Sequence, residues 1–493
     1  MNKTLRTGLF SLAGGASVRI ASFISGLVIA RAIGPAGYGL FVLVRDLCNT
    51  LSLLTTFGLD LGLVRWIAER KDTQDVARGF ILFSLFLVFC LSSLVVVAIW
   101  SGGSTYLGEN LYPKQMGFSR ALDAIIVLVI LATLSRVLGG GFQGLLRIEH
   151  RVTAEQIIQP LSRLIIILSL FLISISIWSV IWGTLFSFFL ALLYFIVQSR
   201  GILFGSGLTI KWPTLSKTTG LLKYSFLMSL ALSIGMLLEK ADILMLGYFG
   251  TSSDIGSYAI VQMAVSVIVM INSAFNQRLA PRIAELAKNG ARQESCLLLS
   301  QHIRWMALAT VPMFVALSVF GADLLRIFGS DYQIDWPVVV LLSSSQFIVA
   351  VIGSCGYLLS MTSAYKKELP ILLIALTLNV SLNYLWIPLY GLSGAAGATV
   401  TATLIANLLR MMLVIRLYEF QPISRRVLAP LVIAVFVVLP VYSLRYYLND
   451  TSVAGAFVAS SVFSLIYAIL VIRICLNRDE KVVVNNIIRR LRG

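Results

Sequence analysis

Apolar runs of roughly 18 or more residues recur along the whole chain, separated by short polar turns. Each run is long enough to cross a hydrocarbon core as a helix, and a segment inside lipid must satisfy its own backbone amides, which a helix does. With 58% of its 493 residues hydrophobic and only 12% charged, the chain lies outside the composition of soluble domains. The sequence therefore predicts an all-α polytopic membrane protein. About fourteen transmembrane helices are expected, at about 9–33, 38–64, 79–100, 122–144, 156–177, 178–198, 221–249, 256–279, 303–322, 338–361, 370–388, 394–417, 428–445 and 453–474. Lys3 and Arg6 before the first run mimic a signal peptide, but Arg19 interrupts that run and no small-residue cleavage site follows, so it is read as the first helix. The five cysteines, Cys48, Cys90, Cys296, Cys355 and Cys475, are scattered without ligand-like spacing and read as reduced packing residues, with no metal site.

One hairpin occurs twice. IARAIGPAGYGLFVLV (Ile29 to Val44) ends one apolar segment, turns on Gly34, Pro35 and Gly37, and starts another that closes with VRWIAE (Val64 to Glu69). MLGYFGTSSDIGSYAIV (Met245 to Val261) does the same and is followed by APRIAE (Ala280 to Glu285), so that Tyr38 matches Tyr258 and Arg65 matches Arg282. A period of this length is far beyond that of a solenoid and reads as two homologous halves of a transporter-like bundle. The expected organisation is an N-terminal six-helix lobe over 1–200, a cytoplasmic linker over 201–220, a second six-helix lobe over 221–418, two additional transmembrane helices over 419–476, and a basic amphipathic tail over 477–493. Residues Pro281 to Gln301 read as an amphipathic helix at the cytoplasmic interface.

The net charge of +17 invites a nucleic-acid reading that its placement excludes. Lysines and arginines favour one set of loops over the other by roughly 29 to 5, which puts both termini in the cytoplasm by the positive-inside rule. The longest outer segment, Ser101 to Ala121, leaves no room for an extracytoplasmic catalytic domain. No GxxxxGK[ST] loop is present, and the only histidines, His150 and His302, fall in cytoplasmic segments, so neither an ATP-driven pump nor a histidine relay is indicated.

Charges at membrane depth are costly and usually face a protein interior or a wet cavity. Here they are Arg19, Arg45, Asp46, Asp60, Asp123, Arg136, Arg163, Glu239, Lys240 and Asp242. Arg45, Asn49, Ser52, Thr56 and Asp60 recur at steps of three and four, one polar stripe on the second helix. Arg19, Arg45, Arg136 and Arg163, with Lys240 opposite, could line one cavity of positive sign, which favours a multivalent anion such as a phosphate group. The same pattern allows a structural reading: Arg45 with Asp46, and Glu239, Lys240 and Asp242 together, form ion pairs, while Asp123 and Arg163 reach the interfaces. Asn379 and Asn383 share a face of the eleventh helix, where they either line a polar cavity or bond between helices.

The motifs RAIGPAGYGLFVL (Arg31 to Leu43), GLDLGLVRWIAE (Gly58 to Glu69), DILMLGYFG (Asp242 to Gly250) and the stretch Leu358 to Ala402, with Lys366, Asn379, Asn383, Pro388, Gly391 and Gly394, resemble polysaccharide and lipid-linked oligosaccharide flippases. These are the O-antigen translocase branch of the MOP exporter superfamily, and the resemblance covers about residues 5–418. It implies two six-helix lobes about a pseudo-twofold along the membrane normal, with a central cavity that opens alternately to each side. It also implies a secondary transporter of the cytoplasmic membrane, not an enzyme, that moves a polyprenyl-diphosphate-linked glycan outward without a cofactor. Arg19, Arg45, Arg136, Arg163 and Lys240 would then face the diphosphate. Asp46, Asp60, Glu239 or Asp242 would couple an ion, H+ or Na+, or pair with these cations, and Asn49, Asn379 and Asn383 would line the cavity. A polysaccharide polymerase is the partner such a reading suggests, beside membrane lipid. The alternatives are a multidrug or small-cation antiporter of the same superfamily, which calls for an acid-dominated cavity, and a membrane glycan-processing enzyme, which lacks an outer domain here.

Overall fold

The structure, a computed structural model, describes residues 3–69, 74–203, 215–362, 367–423, 427, 429–447 and 452–476. Within these, side chains are described from Ser22 onward, except at 68–69, 74–76, 201–203, 215–217, 227, 231, 274 and 277–278. Arg19 therefore has a described backbone but its side chain lies outside the described residues, as do Lys366, most of the expected linker and the whole expected tail.

The chain forms two compact units, Met1–Ala259 and Ile260–Gly493. The first holds α1 (Lys3–Thr56), α2 (Leu59–Glu69), α3 (Gln74–Ala98), α4 (Ser104–Tyr106), α5 (Phe118–Ile125), α6 (Leu128–Gly144), α7 (Ile148–Arg151), α8 (Gln159–Phe171), α9 (Ile177–Leu203), α10 (Leu215–Phe249) and the start of α11 (Ser252–Lys288). The second holds the rest of α11 with α12 (Arg292–Leu324), α13 (Trp336–Val351), α14 (Ser354–Ser360), α15 (Glu368–Tyr418), α16 (Ala429–Tyr447) and α17 (Val453–Ile474). Among the described residues there are no strands, and eleven helices are long and apolar enough to cross a membrane, or twelve if the bent pair α13–α14 is one span. The expected fourteen differ from this count partly because α1 and α15 each carry two expected spans. Each is two helices joined at a kink, at Gly34 (φ 69°) and Gly391 (φ 56°), where a left-handed backbone favours glycine.

Two expectations are corrected. The second expected helix, 38–64, is broken: α1 stops at Thr56, Phe57 and Gly58 both take positive φ, and α2 restarts at Leu59. Thr55 and Thr56 hydrogen-bond back to carbonyls of the preceding turn, a habit that bends helices, just before the break. The break also has a packing cause, because a Cβ on Gly58 would lie 2.3 Å from the Ser225 carbonyl oxygen of α10. The second correction concerns Pro281 to Gln301, which is not a separate interfacial helix. Pro281 lies inside α11, which runs on to Lys288, and α12 begins at Arg292 after a turn at Gly290 (φ 72°).

Small residues bring α2 into the middle of the first unit. Gly140 of α6 backs onto the Asp60 carbonyl and Gly62 onto the Ser225 hydroxyl of α10, so backbones approach where side chains would hold them apart. Around them Leu59, Leu63, Phe80, Phe142, Phe195 and Leu221 form a buried core. The two repeated turns also meet. A Cβ on Gly39 would come within 1.8 Å of the Ser252 carbonyl oxygen, and one on Gly256 within 2.1 Å of the Pro35 carbonyl oxygen, a reciprocal contact of backbone on backbone. The expected loop Ser101 to Ala121 is folded: π-helical turns Ile99–Gly103 and Leu107–Leu111 flank α4, and Tyr112 packs on Phe118 with ring centroids 4.7 Å apart.

In the second unit the two last helices are fastened to α12 at three levels. Arg445 of α16 pairs with Asp323 at 2.8 Å, the Tyr467 hydroxyl of α17 donates to the Leu308 carbonyl at 3.1 Å, and Arg304 donates to the Cys475 carbonyl at 2.5 Å. Val311, Phe320, Ala434 and Phe463 fill the space between.

Candidate functional site

The charged centre of the first unit is Asp46. Its carboxylate is 2% exposed and accepts from Arg45 through Nε at 3.0 Å and Nη2 at 2.8 Å, both on Oδ1. Its other oxygen faces the Lys240 ammonium of α10 at 3.2 Å. One buried carboxylate thus holds two cations from two helices. Lys240 also lies 3.5 Å from Glu239, whose side chain is 74% exposed, so solvent screening leaves this second contact weak. Arg45 keeps a quarter of its side chain exposed and stacks on Phe41, its guanidinium carbon 5.5 Å from the ring centroid. Arg163 of α8 lies within electrostatic reach of Arg45 and of Tyr38, and its Nε is buried without a hydrogen-bond partner. Around Asp46 the cations outnumber the acids, and burial magnifies that imbalance.

Arg136 has different neighbours. The charges that act on it are Asp60, Glu155 and Arg151. Arg151 pairs with Glu155 at 3.2 Å and donates to the Gln143 side-chain carbonyl. The glycine run of α6 makes room for this group: a Cβ on Gly139 would lie 2.8 Å from a Glu155 carboxylate oxygen. The three expected arginines whose side chains are described, Arg45, Arg136 and Arg163, therefore do not share one set of partners. Arg45 and Lys240 hold Asp46, with Arg163 within electrostatic reach of Arg45, while the charges acting on Arg136 are Asp60, Glu155 and Arg151. Nor does the polar stripe continue as drawn, because the break at Phe57 and Gly58 separates Asp60 from α1. Asn49 stays half-buried, but Ser52 and Thr56 are fully buried, and Thr55 meets the Thr133 hydroxyl of α6 at 3.1 Å.

The remaining expected residues have structural partners. Asp242 accepts a 2.7 Å hydrogen bond from the Tyr258 hydroxyl, and both are buried. Asn383 donates to the Asn379 side-chain carbonyl at 3.1 Å, and Asn379 donates to the Thr399 hydroxyl at 3.3 Å, tying the two arms of α15 across its kink. Sequence reasoning missed Tyr258 as a carboxylate partner, although its match to Tyr38 was the signal. It also missed Glu155, which Arg151 four residues earlier could have indicated.

The family described as polysaccharide biosynthesis protein matches residues 5–287. The chain belongs to that family. A relative of the chain is the probable low-salt glycan biosynthesis flippase Agl15 of Haloferax volcanii, 22% identical over 76% of each chain. Among solved structures, the lipid II flippase MurJ in an inward closed conformation superposes with a TM-score of 0.71 at 13% identity, over 94% of this chain and 99% of that one. An inward-facing multidrug resistance MATE transporter of the MOP superfamily gives 0.62 at 15% identity, over 83% and 98%. The chain shares the fold of these two transporters.

Proposed function

We propose that the protein is a secondary transporter that flips a polyprenyl-diphosphate-linked oligosaccharide from the cytoplasmic to the outer leaflet by alternating access of two lobes, residues 1–200 and 221–418. The observation that supports this most is the cationic surplus around Asp46. A diphosphate is a compact multivalent anion, and Arg45, Lys240 and Arg163 offer it charge-assisted donors in a low-dielectric setting. Asp46 pairs with both Arg45 and Lys240. An arriving diphosphate competes for the same two cations, and the released carboxylate is then free to take up a coupling ion, H+ or Na+. Asp60, Glu239 and Asp242 remain candidates for that role, and Arg136 for a second diphosphate contact. The protein would sit in the cytoplasmic membrane with both termini inside, working beside a polysaccharide polymerase.

The test is translocation of a labelled polyprenyl-diphosphate oligosaccharide in proteoliposomes, with and without an imposed proton or sodium gradient. Gradient-driven movement that Arg163→Gln weakens by about tenfold in apparent affinity supports the reading. A second reading, a drug antiporter, draws on the MATE likeness. Transport of small organic cations with no movement of the lipid-linked glycan would select it.

A further inference from the structure

The folded segment between α4 and α5 grips the far end of α10 through two adjacent side chains. Gln115, only 4% exposed, donates from Nε2 to the Gly247 carbonyl at 2.9 Å and to the Gly250 carbonyl at 3.0 Å, and its Oε1 accepts from the Ser252 hydroxyl at 2.5 Å. Lys114 donates to the Phe249 carbonyl at 2.7 Å. The last carbonyls of a helix have no partner within it and carry partial negative charge, so a lysine and an amide presented from another helix pair are suited to hold them. These contacts surround the place where the repeated turns touch, Gly39 on Ser252 and Gly256 on Pro35. Beneath them, Gly247 lies so close to Leu43 and Tyr112 that a Cβ there would come within 2.8 Å of both side chains.

All of this lies at the end of the bundle that the charge distribution assigns to the outside. It joins a segment of the first repeat to the turn that begins the second. We propose that Lys114 and Gln115 are positioning residues for transport: they latch the outer end of α10 to the first repeat, and release toward the outer leaflet requires them to let go. This rests on the alternating-access reading above. It adds a point of control that carries no charge pair, because three of its four bonds run to backbone carbonyls and the fourth to a serine hydroxyl. Such a latch is indifferent to the substrate's chemistry and to protonation of any carboxylate. It sets how readily the outer side opens, not what is carried.

The experiment reads opening without using substrate. A Leu43→Cys reporter, placed where α1 faces Gly247, is labelled with a membrane-impermeant maleimide added outside proteoliposomes, and the labelling of the chain without the reporter is subtracted. Gln115→Leu removes three hydrogen bonds and Lys114→Met one, and the labelling rate should rise by about tenfold in the first and less in the second. Unchanged rates in both variants would overturn the latch. A second measurement is independent of the reporter. Gln115→Cys with Ser252→Cys, bridged by a short bismaleimide, should stop transport, whereas bridged protein that transports at the unbridged rate would overturn the proposal. The outcomes separate from those for the substrate: latch-dependent labelling without glycan movement would sink the flippase reading alone, and glycan movement with latch-independent labelling would sink the latch alone.

Discussion

Tyr258 donates a 2.7 Å hydrogen bond to Asp242, joining α11 to α10 below the repeated turn. Its repeat partner Tyr38 lies near Arg45, Asp46 and Arg163 instead. The two halves have kept the same ring at the same station and given it different company. Tyr258→Phe should therefore destabilise the detergent-purified protein by about 1–2 kcal/mol, since a buried carboxylate loses a donor, and Tyr38→Phe by less. Chemical denaturation of the two variants, side by side, checks the ordering.

Asp46→Asn leaves Arg45 and Lys240 facing each other across a neutral group. Breaking a buried ion pair from one side typically costs about 3 kcal/mol or more, because the remaining charge stays desolvated. The double variant Asp46→Asn with Lys240→Met should recover part of that loss. A double-mutant cycle in which the two changes simply add would show that the 3.2 Å contact carries no energy.

Two glycines predict opposite signs. An added methyl at Gly140 meets the Asp60 carbonyl oxygen at 2.3 Å, and backbone on both α6 and α2 must yield, so Gly140→Ala should destabilise by about 1–3 kcal/mol. Gly235, inside α10, has open space around its missing Cβ. Gly235→Ala should stabilise by roughly 0.5–1 kcal/mol through helix propensity alone. Thermal unfolding of the pair measures both.

Tyr112 sits outside the spanning segments, and burial pushes its hydroxyl up to about 12 from an ordinary value near 10. The raised value means that the unfolded chain loses this proton first as pH rises. Stability from Tyr112 is complete below about pH 10 and falls between about pH 10 and 12, by up to roughly 2 kcal/mol. Tyr112→Phe should flatten that alkaline loss, and stability measured against pH in this window reads it directly.

Much of the fold was legible because membrane helices announce themselves. The turn at Gly34 and the one after Phe249 follow from glycine and proline at the ends of long apolar runs, with no tertiary information needed. The break at Phe57 and Gly58 was not legible, since TTFGLDLG reads as one more turn of an apolar helix. Its cause is the closeness of Ser225, far away in sequence, and only the folded chain supplies that. The site divides in the same way. Arg45 and Asp46 are neighbours in sequence and their pairing could be weighed in advance, but the second cation on Asp46 arrives from α10. Arg136 could be placed only by helix depth and face, whereas the acids that act on it, Asp60 of α2 and Glu155 of the π-helical segment Val152–Ile158, are brought near by the fold.

The three attachments of α16 and α17 to α12, two of them a turn apart at Arg304 and Leu308 and one near its far end at Asp323, have a mechanical consequence. If the C-terminus were drawn out of the bilayer on a cantilever tip, two lone hydrophobic helices would leave singly at low force. Here the pull is shared among the Arg304, Tyr467 and Arg445 contacts, so the last two helices and α12 should come away as one event with a single tall rupture peak.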